Sequence, residues 1–268
     1  MKYVNHIKPG KYKLQNGMSN KEIIALLRAG RQESVKLSIN NIRKIDGLAL
    51  LVSSKLEADS NALVKLFNDS IFLSQHGFNT YNAISVIIPN TYEFYWNTSA
   101  EEFFERMLKE YKKFWTESRL KMANELGLDT KQVSVVASIV EKETRQRDEK
   151  PILAGIYLNR LTQGWKLEAD PTLIFAANDF TIKRVLNIHK QINSPYNTYL
   201  NFGLPPGPIC TPSIESIDAV LNRTKSNYMF FCAREDFSGY HNYASTYSEH
   251  KRNARVFQAA LDRRGIKK

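Results

Sequence analysis

The sequence predicts an α+β chain, with a small strand–helix module ahead of a mixed helical and β domain. Three observations carry this. Strand and helix patterns alternate near the amino terminus, long amphipathic helical runs fill the middle, and a late apolar strand precedes a closing helix.

In order, Lys11-Tyr12-Lys13-Leu14 reads as a short strand ending in a turn at Asn16-Gly17. Ser19 and Glu22 form a capping box ahead of Ile23, Ile24, Leu26 and Leu27, and Gly30 closes that helix. Val35 to Ile39 alternates apolar and polar residues, as a half-buried strand does. Residues 42–78 read as short helices with Leu48, Leu50, Leu51, Leu56, Leu63, Leu66 and Phe67 as apolar contacts, and the apolar run at 84–88 is halted by Pro89. Tyr92 stands to Ser99 as Tyr12 stands to Ser19, and each serine opens a Ser-x-x-Glu box. Either a strand-turn-helix unit is repeated or two helices share a common cap. Phe103, Phe104, Met107, Leu108, Tyr111 and Phe114 form a core stripe on the helix from Ser99.

Asp129 and Gln132 cap a further helix that runs to about Arg145, and Pro151 suits the first turn of the next, which Gly164 stops. Residues 165–215 are loop-rich, with Pro171, Pro195, Pro205, Pro206, Pro208 and Pro212. Tyr228 to Ala233 reads as a buried strand and His250 to Arg263 as the closing helix.

With 268 residues, 43% hydrophobic and 24% charged, the chain has the size and composition of a globular protein with its own core. No apolar run approaches the roughly 18 residues a membrane span needs, and the first residues lack a signal-peptide core. Cys210 and Cys232 have neither zinc-ligand nor disulfide-framework spacing and read as small hydrophobes. The net charge of +11 favours anionic partners, but it is spread thinly and no nucleic-acid motif accompanies it.

The chemistry concentrates in Ala137-Ser138-Ile139-Val140-Glu141-Lys142-Glu143-Thr144, where two carboxylates end an apolar helix. At 100° per residue Glu141 and Glu143 point about 160° apart and cannot share one cleft as an acid/base pair. A carboxylate against apolar walls keeps its proton to higher pH and can donate it to a leaving oxygen. A Glu-Lys-Glu helix end is more often a solvated surface. Asp170-Pro171-Thr172, Asn197-Thr198-Tyr199, the Gly203-Leu204-Pro205-Pro206-Gly207 turn and His241-Asn242 offer polar and aromatic groups suited to sugars. They equally suit helix caps and rigid turns.

Taken in order, these segments resemble the endolytic murein transglycosylase family, also called MltG or YceG-like. The matching blocks are 137–144, Tyr157-Leu158-Asn159-Arg160-Leu161, Asp170-Pro171-Thr172, Ser194-Pro195-Tyr196-Asn197-Thr198-Tyr199, 203–209, and His241 with Glu249-His250. The resemblance implies a LysM-like, glycan-binding region over residues 1–95 and a catalytic domain over 96–268. It implies a lytic, non-hydrolytic cut between MurNAc and GlcNAc of peptidoglycan strands, leaving 1,6-anhydroMurNAc ends. Glu141 matches the catalytic glutamate, first acid and then base; Asp170, Thr172, Asn197, Thr198, Tyr199 and His241 match positions that would hold glycan. Asn159 and Arg160 are expected to be structural. No metal or other cofactor is implied.

The resemblance also implies partnership with peptidoglycan synthases, and a native form held by an amino-terminal membrane helix in the plasma (inner) membrane with its catalytic domain outside. Nothing in residues 1–268 corresponds to that helix, so the chain as given is expected to be soluble. The other readings are a non-catalytic peptidoglycan-binding protein, a glycoside hydrolase using Glu141 and Asp170, and, on charge alone, a nucleic-acid binder. On this reading Glu141→Gln abolishes cleavage and Glu143→Gln retains much more.

Overall fold

The computed structural model describes residues 8–265. The chain divides into two compact units, one reaching Phe114 and the other starting at Trp115. Both mix helices and short antiparallel strand pairs, so the class is α+β.

In the first unit, helix α1 (Asn20–Ala29) starts at the expected Ser19–Glu22 box and ends at Gly30, whose φ of 67° is the left-handed turn glycine tolerates. Residues 11–14 do not form the expected strand. Leu14 is exposed, leaving this segment no apolar face, and one main-chain bond from Glu33 N–H to Lys11 O (2.8 Å) ties it down. Strand β1 (Ser34–Ile39) instead pairs antiparallel with β2 (Asn90–Tyr95), with Leu37 opposite Tyr92 and Val35 opposite Phe94. Leu37, Ile39, Tyr92 and Phe94 are buried while their neighbours face out, the period-two pattern of a one-sided sheet.

Between the strands lie α2 (Ile45–Ser53), α3 (Ser60–Asn68) and α4 (Ser70–Gln75), the last two capped by Asp59 and Asp69. The run before Pro89 is a 3-10 turn, Ala83–Val86. Helix α5 (Ala100–Phe114) starts at a closed Ser99–Glu102 box and buries Phe103, Phe104 and Met107 against Phe67, Phe72 and Phe94. It therefore packs in the first unit, whose edge lies beyond the 95/96 line drawn from the sequence. With a strand before α5 and, among the described residues, none before α1, what the two segments share is the cap.

The second unit comprises α6 (Glu117–Glu125), α7 (Thr130–Glu143), α8 (Lys150–Thr162), α9 (Asp170–Ala177), α10 (Ile214–Leu221), strands β3 (Phe230–Ala233) and β4 (His241–Ala244), and α11 (Tyr247–Arg263). Helix α7 is its axis. Every residue from Val133 to Val140 is buried, and α6, α8, α9 and α10 all pack on it. A helix apolar on all sides belongs in a core. Its Ser138 hydroxyl donates to Val135 O (2.7 Å) and accepts from Ile209 N–H (3.0 Å), fastening the proline-rich run to the helix.

Alongside, α8 carries Pro151 in its first turn and approaches Thr224 so closely that a Cβ on Gly155 would lie 2.4 Å from Thr224 O. Asn159 and Arg160 serve as latches. Asn159 Nδ2 donates to Ser226 O and Tyr228 O, and the buried Arg160 donates to Met229 O and Leu167 O. Strand β3 is half-buried rather than buried, because its partner β4 covers an edge and not a face. Helix α11 begins earlier than the sequence suggested, at a Thr246–Glu249 capping box. Glu249 is thus a cap. Cys210 is buried, Cys232 is half-buried, and no disulfide joins them. Among the described residues no helix is long and apolar enough to cross a membrane.

Candidate active site

Helix α7 ends by delivering Glu141 and Glu143 into two different settings, as their angular separation requires. Glu141 faces α10. Its Oε2 accepts hydrogen bonds from Ser213 Oγ (2.6 Å) and Ser216 Oγ (2.5 Å), and Lys150 Nζ stands 3.3 Å away. Lys150 is itself buried and bridges on to Glu215 at 3.5 Å. Burial pushes the Glu141 carboxyl up, but the two hydroxyl donors and the ammonium outweigh it and hold the group below the usual carboxylate range. Ser213 is also the N-cap of α10, where a negative charge is favourable. Glu141 is a carboxylate anchored by two hydroxyls and an ammonium.

Glu143 faces α8 and α9. Its Oε2 is shielded from solvent and meets no donor in full hydrogen-bond geometry, and the neighbouring Tyr157 hydroxyl is likewise unsatisfied. Burial raises its carboxyl, and the Asp170 charge raises it further; Tyr157 and Arg160 offset only part of this, leaving it at about 7. Such a group is about half protonated at neutral pH. The sequence left open which glutamate keeps its proton to higher pH; that setting is at Glu143.

Asp170, the first residue of α9, is exposed and accepts a hydrogen bond from the Tyr199 hydroxyl (2.6 Å). Burial and that bond push the Tyr199 phenol well up, so it stays a donor. This pair borders Glu143 and remains open to a ligand. Thr172, Asn197 and Thr198 do not. All three are buried. Thr172 and Thr198 bond each other (2.8 Å) and the main chain of Ala169. Asn197 donates to Lys190 O and Ile192 O and accepts from the N–H groups of Tyr199 and Leu200. Their polar groups are spent inside the protein, so the expectation that they touch glycan is corrected: they shape the loop that presents Tyr199.

A third carboxylate, Glu149, carries no local signal in the sequence, where it stands between Asp148 and Lys150. It is 2% exposed. It accepts from His241 N–H (2.7 Å), His241 Nδ1 (3.0 Å), the Tyr243 hydroxyl and Thr144 Oγ1 (3.0 Å), which outweigh burial and keep it below the usual range. Thr144 directly follows Glu143 and ends α7. His241, expected to bind glycan, is half-buried in this cluster with Phe231 edge-on to its ring.

The profile of the YceG-like family matches residues 1–256. The chain belongs to the YceG-like family. The endolytic murein transglycosylase of Streptococcus pneumoniae D39 is 28% identical over 94% of this chain and 51% of its own length. That of Bacillus subtilis 168 is 25% identical over 85% of this chain and 67% of its own. The chain thus spans about half the length of the pneumococcal relative. A crystal structure of a YceG-like protein from Listeria monocytogenes superposes with a TM-score of 0.70 at 26% identity, covering 94% of this chain and 86% of that one. The YceG-like fold therefore extends over both units.

Proposed function

We propose that this YceG-like chain is an endolytic lytic transglycosylase of peptidoglycan, with Glu143 rather than Glu141 as its acid. One observation carries the assignment. Of the two carboxylates ending α7, Glu141 is met by three donors while Glu143 Oε2 is shielded from solvent without one, a setting that raises its carboxyl. The names of the pneumococcal and Bacillus relatives support the substrate class.

Protonated Glu143 gives its proton to the glycosidic oxygen between MurNAc and GlcNAc, and the bond from C1 to that oxygen breaks. The carboxylate left behind takes the proton from the MurNAc 6-hydroxyl as O6 bonds to C1. The acid is regenerated, a 1,6-anhydro ring closes and no water is consumed. Asp170 contributes a second negative charge beside the site, favouring the developing positive charge at C1 and the return of a proton to Glu143. Glu141 keeps α7 and α10 in register, and Asp170, Tyr199 and His241 orient the glycan.

The first unit, in which three helices lie between two paired strands and Tyr95 and Trp96 are exposed, is the LysM-like glycan-holding part of this proposal. Action at the cell wall, membrane anchoring and partnership with wall synthases are proposed on family likeness.

Digestion of intact sacculi followed by mass spectrometry tests the reading. Anhydro-ended fragments are expected. Reducing ends would instead make Glu143 and Asp170 a hydrolase pair, and undigested strands would make the chain a binder.

A further inference from the structure

The steps above leave Glu149 unused, yet its buried carboxylate is built into the site by four hydrogen bonds. Two come from His241 itself, from its main-chain N–H and its Nδ1, so one carboxylate fixes both the backbone and the ring. Tyr243 donates from the same face of β4, two residues on. Thr144 donates from the end of α7, and the Gln146 side chain donates to Ser238 O (3.2 Å) in the β3–β4 turn. Phe231 lies edge-on to the imidazole with ring centroids 5.3 Å apart, closing another side of it.

We propose, building on the glycan-cleaving reading above, that Glu149 is a positioning residue that fixes His241 with its ring proton on Nδ1 and so presents Nε2 as a hydrogen-bond acceptor for a glycan hydroxyl. A carboxylate that accepts from every neighbour has no proton to give, so Nδ1 is the donor, and in the neutral form of an imidazole so fixed Nε2 is bare. A flipped ring would set a carbon against the carboxylate and forfeit the bond. The same carboxylate holds Thr144, so the spacing between the end of α7 and His241 passes through a single side chain.

Nitrogen-15 NMR of histidine-labelled full-length protein, with and without Glu149→Gln, reads the tautomer directly. Wild type is expected to show a protonated Nδ1 and an unprotonated Nε2 at His241. In Glu149→Gln that preference is lost, and KM for purified glycan strands rises about tenfold with kcat changed less than about threefold, the signature of lost uniform binding. An unchanged tautomer or an unchanged KM in folded Glu149→Gln overturns the proposal.

Should that variant fail to fold, His241→Phe carries the test: the same rise in KM supports Nε2 as a glycan contact, and a wild-type KM refutes it. Wild type that binds strands without cutting them would fault the transglycosylase reading instead. The tautomer and the strand dissociation constant, read in place of KM, would still decide the role of Glu149.

Discussion

Glu141 and Glu143 are the same side chain on the same helix turn, and what separates them is who donates to them. Three donors surround Glu141, whereas Glu143 meets burial and the negative charge of Asp170. Glu143→Gln is therefore expected to lower kcat about 10²- to 10⁴-fold with binding and far-UV circular dichroism retained. Glu141→Gln keeps more of the activity but loses about 1–3 kcal/mol of stability at neutral pH, measurable by urea unfolding. The two carboxyls also give opposite stability slopes. The folded protein holds the Glu143 proton more tightly than the unfolded chain, so stability declines as pH climbs from the ordinary carboxylate range to about 7. Glu143→Gln removes that decline, and denaturant midpoints at pH 5 and pH 8 will read it. Sequence spacing said correctly that the pair diverge. It could not say which faces donors, because Ser213, Ser216 and Lys150 reach Glu141 from elsewhere in the chain.

Elements were legible where their signal is local. The Ser19–Glu22, Ser99–Glu102 and Asp129–Gln132 boxes each start a helix where the residues indicate. Strand β4 carried no such signal: His241-Asn242-Tyr243-Ala244 has a polar start and no alternating apolar face, and pairing with β3 alone makes it a strand. Likewise Lys11 to Leu14 has strand-like residues but no partner ladder. Gly155 shows the same dependence on distant chain, since its need for a bare Cα comes from Thr224 O. Gly155→Ala should cost about 1–3 kcal/mol by forcing α8 and the Thr224 segment apart, against the stabilisation that alanine normally gives a helix interior. A thermal melt of the variant checks the sign.

For the whole molecule, the fold class was readable because both units repeat the same mixture of capped helices and short paired strands. The edge between units was not, because α5 belongs by packing to the first and by sequence position to either. The net charge of +11 acts at this scale too. Retention on anionic wall polymers should weaken steeply between about 0.05 and 0.5 M salt, as exposed charges are screened beyond a few ångströms. A salt-independent retention would make the basic surface irrelevant to binding.

On the proposed mechanism, the segment from Glu143 to Glu149 begins with a carboxyl that works only while it keeps a proton and ends with one that holds its neighbours only while it has none. Acidification first feeds the one and, carried far enough, disarms the other. The window expected of that mechanism is thus bounded on both sides by a single short loop: rising alkalinity would empty the acid at its head, and falling pH would unfasten His241, Tyr243 and Thr144 at its tail.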